Sequence, residues 1–254
     1  MKTILAATAG LMLSMGGIAS AADMNMPLKA PAPPPPALTW TGCYLSGGIG
    51  YGMWNQQHYG ETDPGLVPLT NTFTSGGEGW LGRVGAGCDY QFNPSFVLGA
   101  FGDYDFMNLK SQNFADVSGI GAFEKESGSW AAGVRLGYLP YPELLTFISG
   151  GWTQARFDRQ DLFDTTVMPP APVGAFIDAH NYNGAFIGGG YEYRLPFAPN
   201  VTWKTEYRYN WYGADDLPIL LNTGTPTGAG ENSKKTVQTI TTSLDWRFSW
   251  WGGR

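Results

Sequence analysis

Two histidines, two cysteines and a scatter of carboxylates are the groups in this 254-residue chain with the most chemistry to offer. His58 with Asp63 and Ser75 has the makings of an acyl-transfer triad, in which a base takes the proton of a hydroxyl nucleophile. An enzyme of that kind acting on lipid needs an apolar pocket, and the strands here offer charge instead, so a solvated loop histidine is the better reading of both His58 and His180. The glycine runs GGIGYG and GRVGAG lack the GK[ST] ending of a phosphate loop and open no helix. No Cys/His spacing suits zinc, and Asp103 with Asp105 reads as two residues on one face of a strand. The sequence therefore assigns no catalytic residue, no metal ligand and no cofactor.

The remaining charges follow a rule. In VTWKTEYRYNW, Val201, Trp203, Thr205, Tyr207, Tyr209 and Trp211 share one parity, and Thr202, Lys204, Glu206, Arg208 and Asn210 the other. A strand buried on one face alternates in this way, but a soluble core draws on Leu, Ile and Val more than on Trp and Tyr. Composition agrees with strands: 36 glycines, 15% aromatic and only 14% charged residues describe a chain poor in helix formers. The expected class is all-β.

The same alternation recurs eight times from Gly42 onward. CYLSGGIGYGM sets Cys43, Leu45, Ile49, Tyr51 and Met53 against Tyr44, Ser46 and glycines; WLGRVGAGCDYQF sets Trp80, Val84, Ala86, Cys88, Tyr90 and Phe92 against Arg83, Asp89 and Gln91. FVLGAFGDYDF sets Phe96, Leu98, Tyr104 and Phe106 against Asp103 and Asp105, and WAAGVRLGY sets Trp130, Val134, Leu136 and Tyr138 against Arg135. LLTFISGGWTQARF leaves its parity open. AFIGGGYEYRL sets Ile187, Tyr191 and Tyr193 against Glu192 and Arg194, and TITTSLDWRF sets Ile240, Leu244, Trp246 and Phe248 against Asp245 and Arg247.

Residues 55–78, 108–127, 158–180 and 213–235 form long connections, while three short Pro-bearing turns join the other ends. Alternately long and short connections between alternating segments are the signature of an antiparallel up-and-down β-barrel of eight strands in an outer membrane. The aromatic face then meets lipid, with Trp80, Tyr90, Phe92, Trp130, Tyr138, Tyr193, Trp203, Tyr209, Trp211, Trp246 and Phe248 as interfacial girdles, and the charged face meets the lumen. A soluble lipocalin-like barrel would reverse the faces; rings gathered at strand ends and few charges per strand favour the membrane.

Residues 1–21 read as a secretory signal peptide, with Lys2, an apolar stretch and an Ala19-Ser20-Ala21 cleavage site; cleavage after Ala22 reads equally well. Residues 22–39 form a Pro-rich leader that cannot join a sheet, and 40–254 form the barrel. In an oxidising compartment, Cys43 and Cys88, on neighbouring strands with the same parity, are expected to form a disulfide.

The ordered run AADMNMPLKAPAPPPPALTWTGCYLSGGIGYG, GRVGAGCDYQF, FVLGAFGDYDF, VRLGYLP, LLTFISGG, GAFIGGGYEYRL, VTWKTEYRYNWYG and TSLDWRF resembles the outer-membrane immunogenic protein (surface antigen) family of small OmpA-like barrels, loosely labelled porins. The resemblance implies an eight-stranded barrel in a Gram-negative outer membrane, with loops outside and termini periplasmic, serving envelope integrity and surface antigenicity. Such barrels usually end on an aromatic residue, whereas Phe248 is followed here by SWWGGR.

A lumen of eight strands is just wide enough to be filled by side chains. Arg83, Arg135, Arg194, Lys204, Arg208 and Arg247 against Asp89, Asp103, Asp105, Glu192, Glu206 and Asp245 are expected to pair across it, because an unpaired buried charge is costly. The leading reading is a structural barrel plugged by salt bridges; the alternative is a narrow porin-like channel, with space left by lumen-facing glycines. Expected partners are outer-membrane lipid and lipopolysaccharide and the barrel-assembly machinery. Acids outnumber bases in the long connections, which disfavours nucleic acid, suits divalent cations shared with anionic surface lipid, and leaves any host or surface ligand unspecified.

Overall fold

Side chains of alternating kind require a backbone whose successive residues face opposite ways, and extended strands supply it. The computed structural model describes residues 39–111 and 119–248. The signal peptide, all but the last residue of the leader, and the SWWGGR extension lie outside the described residues. Eleven strands are present: β1 (Gly42–Thr62), β2 (Phe73–Asn93), β3 (Phe96–Ser111), β4 (Ile120–Ala122), β5 (Lys125–Tyr141), β6 (Leu144–Phe157), β7 (Gln160–Asp164), β8 (Ala171–Ile177), β9 (His180–Arg194), β10 (Val201–Leu221) and β11 (Pro226–Phe248).

Eight of these pair antiparallel in the order β1-β2-β3-β5-β6-β9-β10-β11, and β11 returns to β1 with Cys43 opposite Phe248 and Thr62 opposite Ala229. Among the described residues the sheet is thus a closed ring, which leaves no unpaired edge in the wall. At one end, here the turn end, Asn93 caps the β2–β3 turn by accepting from the amides of Ser95 and Phe96, both at 2.8 Å. The opposite, loop end carries β4, β7 and β8. These add to β10 through Ile219–Leu221 opposite Ala175–Ile177, with β7 paired to β8 and β4 to β7.

Every expected aromatic girdle residue points out of the ring, as do Leu45, Ile49, Val84, Leu98, Val134, Ile148, Ile187 and Leu244. Arg83, Asp89, Asp105, Arg135, Glu192, Lys204, Glu206, Arg208, Asp245 and Arg247 are buried inside. The parity left open in LLTFISGGWTQARF resolves with Leu145, Phe147, Ser149, Thr153, Ala155 and Phe157 inward and Ile148 and Trp152 outward.

Two expectations need correction. Residues 55–62, 73–78, 213–221 and 226–235 are strand rather than loop, so β1, β2, β10 and β11 continue well past the apolar belt. And the lumen is not charged throughout. Near the loop end it holds an apolar cluster of Trp54, Leu81, Met107, Leu109, Ala155, Phe157, Tyr182, Tyr212 and Val237, joined by Ile177 of β8 and Leu217 of β10. A smaller cluster of Trp40, Val97, Leu139 and Leu145 fills the turn end.

Candidate functional site

The lumen charges stand between the two apolar clusters in two connected groups. Toward the turn end, the Arg135 guanidinium donates to both carboxylate oxygens of Asp89 (2.9 and 2.6 Å) and to Glu192 (2.9 Å). Arg247 donates to the same two acids, at 2.7 Å to Asp89 and at 2.9 and 2.7 Å to Glu192. Thr202 adds a 2.5 Å bond to Glu192, and Lys204 lies 2.8 Å from Asp245, whose other oxygen accepts from Ser46. Two arginines thus clamp two carboxylates drawn from β2, β5, β9 and β11.

The second group is centred on Glu206. Arg83 holds Asp105 through a pair of bonds at 2.6 and 2.7 Å and reaches Glu206 at 3.1 Å. Arg208 holds Asp103 at 2.8 and 2.6 Å and Glu206 at 2.9 Å, while Ser149 donates to the remaining Glu206 oxygen. Paired parallel bonds of this kind are the strong form of the contact and fix the guanidinium plane. The rings of Tyr44 and Phe147 flank Arg135, and those of Phe101 and Phe186 flank Arg208, at 4.8 to 5.2 Å.

Eleven of the twelve expected lumen charges are brought together. Arg194 is not among them. It lies at the turn end over the Trp40 ring (4.5 Å) and donates to the Thr39 carbonyl. Trp40, which stands outside the alternating segments, is 1% exposed; its ring nitrogen donates to the Pro142 carbonyl, and the Arg247 guanidinium lies 4.6 Å from its ring centroid. The signal in the sequence is a lone tryptophan two residues before the first strand.

Neighbouring side chains stand close to the lumen glycines. At Gly188 an added methyl would meet Ser149 Oγ at 2.6 Å and Arg208 Cγ at 3.0 Å, and at Gly99 it would meet Asp89 Oδ1 at 2.1 Å. Their absent side chains are replaced by the arginines and carboxylates of neighbouring strands. Among the charges, a cavity of about 10 Å³ lies beside Tyr44, Arg83, Asp103 and Lys204, the lower limit for one water.

Several groups assigned to loops belong to the lumen instead. Glu124, Glu126 and Lys235 are buried at the loop end, where β5 and β11 extend farther than their outward residues suggest. His58 is on β1 with Glu231 at 3.5 Å, and His180 begins β9 with Asp215 at 3.0 Å. Cys43 and Cys88 are directly opposed in the β1–β2 ladder and joined by a disulfide.

The 31 kDa outer-membrane immunogenic protein of Brucella melitensis is 25% identical over 263 residues, covering 98% of this chain and all of that one; its Brucella suis counterpart matches equally. OprG of Pseudomonas aeruginosa superposes with a TM-score of 0.47 at 11% identity, covering 82% of this chain and 97% of that one. The profile of the outer membrane protein beta-barrel domain matches residues 9–248, nearly the whole chain. The chain belongs to that family and resides in the outer membrane of a Gram-negative cell.

Proposed function

We propose that this protein is a structural barrel of the outer membrane whose lumen is closed by its own ion pairs, adding to envelope integrity and presenting its loop end to the outside as surface antigen. The observation that carries the reading is the filling of the lumen. Cross-strand arginine–carboxylate pairs occupy the space that glycines free, and the cavity beside Arg83 and Asp103 is only about 10 Å³. Charges so paired cannot hydrate a passing ion without first breaking contacts whose loss strands a buried partner. The antigenic part rests on the Brucella relatives, which are described as immunogenic. Outward rings at both rims of the belt suit lipid and lipopolysaccharide interfaces, and insertion through the barrel-assembly machinery completes the picture.

Planar-bilayer conductance of the refolded protein tests this. Wild type should give rare, small steps, and Arg135→Ala or Glu206→Ala should make openings more frequent. Steady, large conductance in wild type, unchanged by those substitutions, would replace the plug with a narrow channel for small solutes.

A further inference from the structure

The loop end carries a second closure, built on different chemistry. Lys235 faces inward from β11 and is fully buried. Its ammonium is enclosed by three rings, with centroids at 4.4 Å for Phe157 of β6, 4.9 Å for Tyr182 of β9 and 5.3 Å for Trp54 of β1. Two of its protons are taken by Gln56 Oε1 and Glu124 Oε1, each at 2.5 Å. An ammonium among aromatic faces, with a carboxylate at its open side, has the attractions of a cation-binding cage.

The cage ties the wall to what lies across its mouth. Glu124 sits in the connection from β4 to β5, and Gln160, the first residue of β7, donates to the same Glu124 oxygen at 2.8 Å. Ile177 of β8 packs into the apolar cluster that contains Trp54, Phe157 and Tyr182. Both the polar and the apolar contacts of the small β4–β7–β8 sheet with the lumen therefore converge on the level of Lys235.

We infer that Lys235 is the latch that holds the β4–β7–β8 sheet closed over the loop end of the lumen, with its ammonium as the resident ligand of a Trp54–Phe157–Tyr182 cage. The closure is separate from the ion pairs at Glu206 and Glu192. Those join wall strand to wall strand; Lys235 also reaches the small sheet, through the Glu124 oxygen that it shares with Gln160 of β7. Below the latch lies the apolar cluster, where Glu126 is 0% exposed and neither of its oxygens has a hydrogen-bond partner. Such a carboxyl is held in place by its surroundings rather than by bonds of its own, and the latch keeps those surroundings shut.

Val237 is two residues below Lys235 on the same inward face and fully buried. Because both native cysteines are in the disulfide, Val237→Cys supplies a single thiol whose labelling by a sulfonated methanethiosulfonate reports opening of the chamber. In the protein refolded in detergent micelles the thiol should react slowly. Adding Lys235→Ala should raise the rate about tenfold or more, the factor expected when charge-assisted bonds are lost from a buried site. Millimolar ethylammonium, small enough to occupy the emptied cage, should lower that rate again. Retention of the heat-dependent shift in gel mobility identifies samples in which the barrel is folded; if Lys235→Ala loses it, Lys235→Met, which keeps the volume and removes the charge, takes its place and is read by the labelling rate without ethylammonium, because its cage stays filled. Equal labelling with and without Lys235 in folded samples would overturn the latch, as would acceleration that ethylammonium leaves unchanged. Conductance reads the ion pairs and labelling reads a position on the loop side of them, so either proposal can fail alone.

Discussion

At the scale of single residues, the lumen shows how a narrow barrel makes charge tolerable. Arg135 satisfies its guanidinium with two carboxylates and two ring faces, so its removal leaves the buried Asp89 and Glu192 sharing Arg247. Breaking a buried pair on one side costs about 3–5 kcal/mol. Arg135→Ala should therefore lower the urea midpoint of the refolded barrel by an amount corresponding to that range. Asp161→Ala breaks an exposed pair with Arg159 and should stay within about 0.5 kcal/mol of wild type. Equal effects of the two would show that the lumen is hydrated enough to screen its charges. Gly188→Leu should also destabilise, for the side chain would have to enter space taken by Ser149 and Arg208.

At the scale of elements, the β1–β2 hairpin is pinned by Cys43–Cys88, 45 residues apart in sequence. Closing a loop of that size restricts the unfolded chain, and such bridges are typically worth about 2–4 kcal/mol. Reduction should lower the unfolding midpoint accordingly while leaving the folded barrel's strand signal in circular dichroism unchanged; loss of that signal on reduction would mean the bridge is needed for the fold itself. The hairpin also shows what the sequence could and could not disclose. From Cys43 to Met53 the two parities differ sharply, so both the strand and its faces were legible. Beyond Met53 the outward positions become Asn55 and Gln57, and on β9 and β11 they become Asn181, Asn183 and Lys234. Once a strand leaves lipid, water accepts polar side chains on its outer face, and the contrast on which the alternation rests disappears. That is why the outer thirds of β1, β2, β10 and β11 read as loops. The lost contrast also hides Glu126 and Lys235 among the charges of the long connections 108–127 and 213–235. Pairing partners such as Arg83 with Asp105 were legible as a set but not as pairs, because the register across the ring is a property of closure rather than of any one segment.

At the scale of the whole molecule, the arrangement is inverted relative to a soluble protein. Its polar interior is held by ion pairs, and its apolar exterior is large: Val134 is 60% exposed, Ile49 60% and Leu244 55%. In water such positions would accept lysine with little effect. Family membership places this surface against hydrocarbon, where a lysine near the midplane costs about 2–4 kcal/mol and one near an interface about 0–1. Val134 lies midway between the rings of Trp130 and Tyr138 on β5, which mark the two rims of the belt. Asn181 points outward from β9 well beyond the belt, toward the loop end. In lipid vesicles, Val134→Lys should therefore lower barrel stability by about 2–4 kcal/mol and Asn181→Lys by less than about 1 kcal/mol. Both substitutions place a lysine on the outer face, one at mid-belt and one beyond it, so a small effect at Val134 no larger than at Asn181 would remove the reason for reading the aromatic face as the lipid face and the charged face as the lumen.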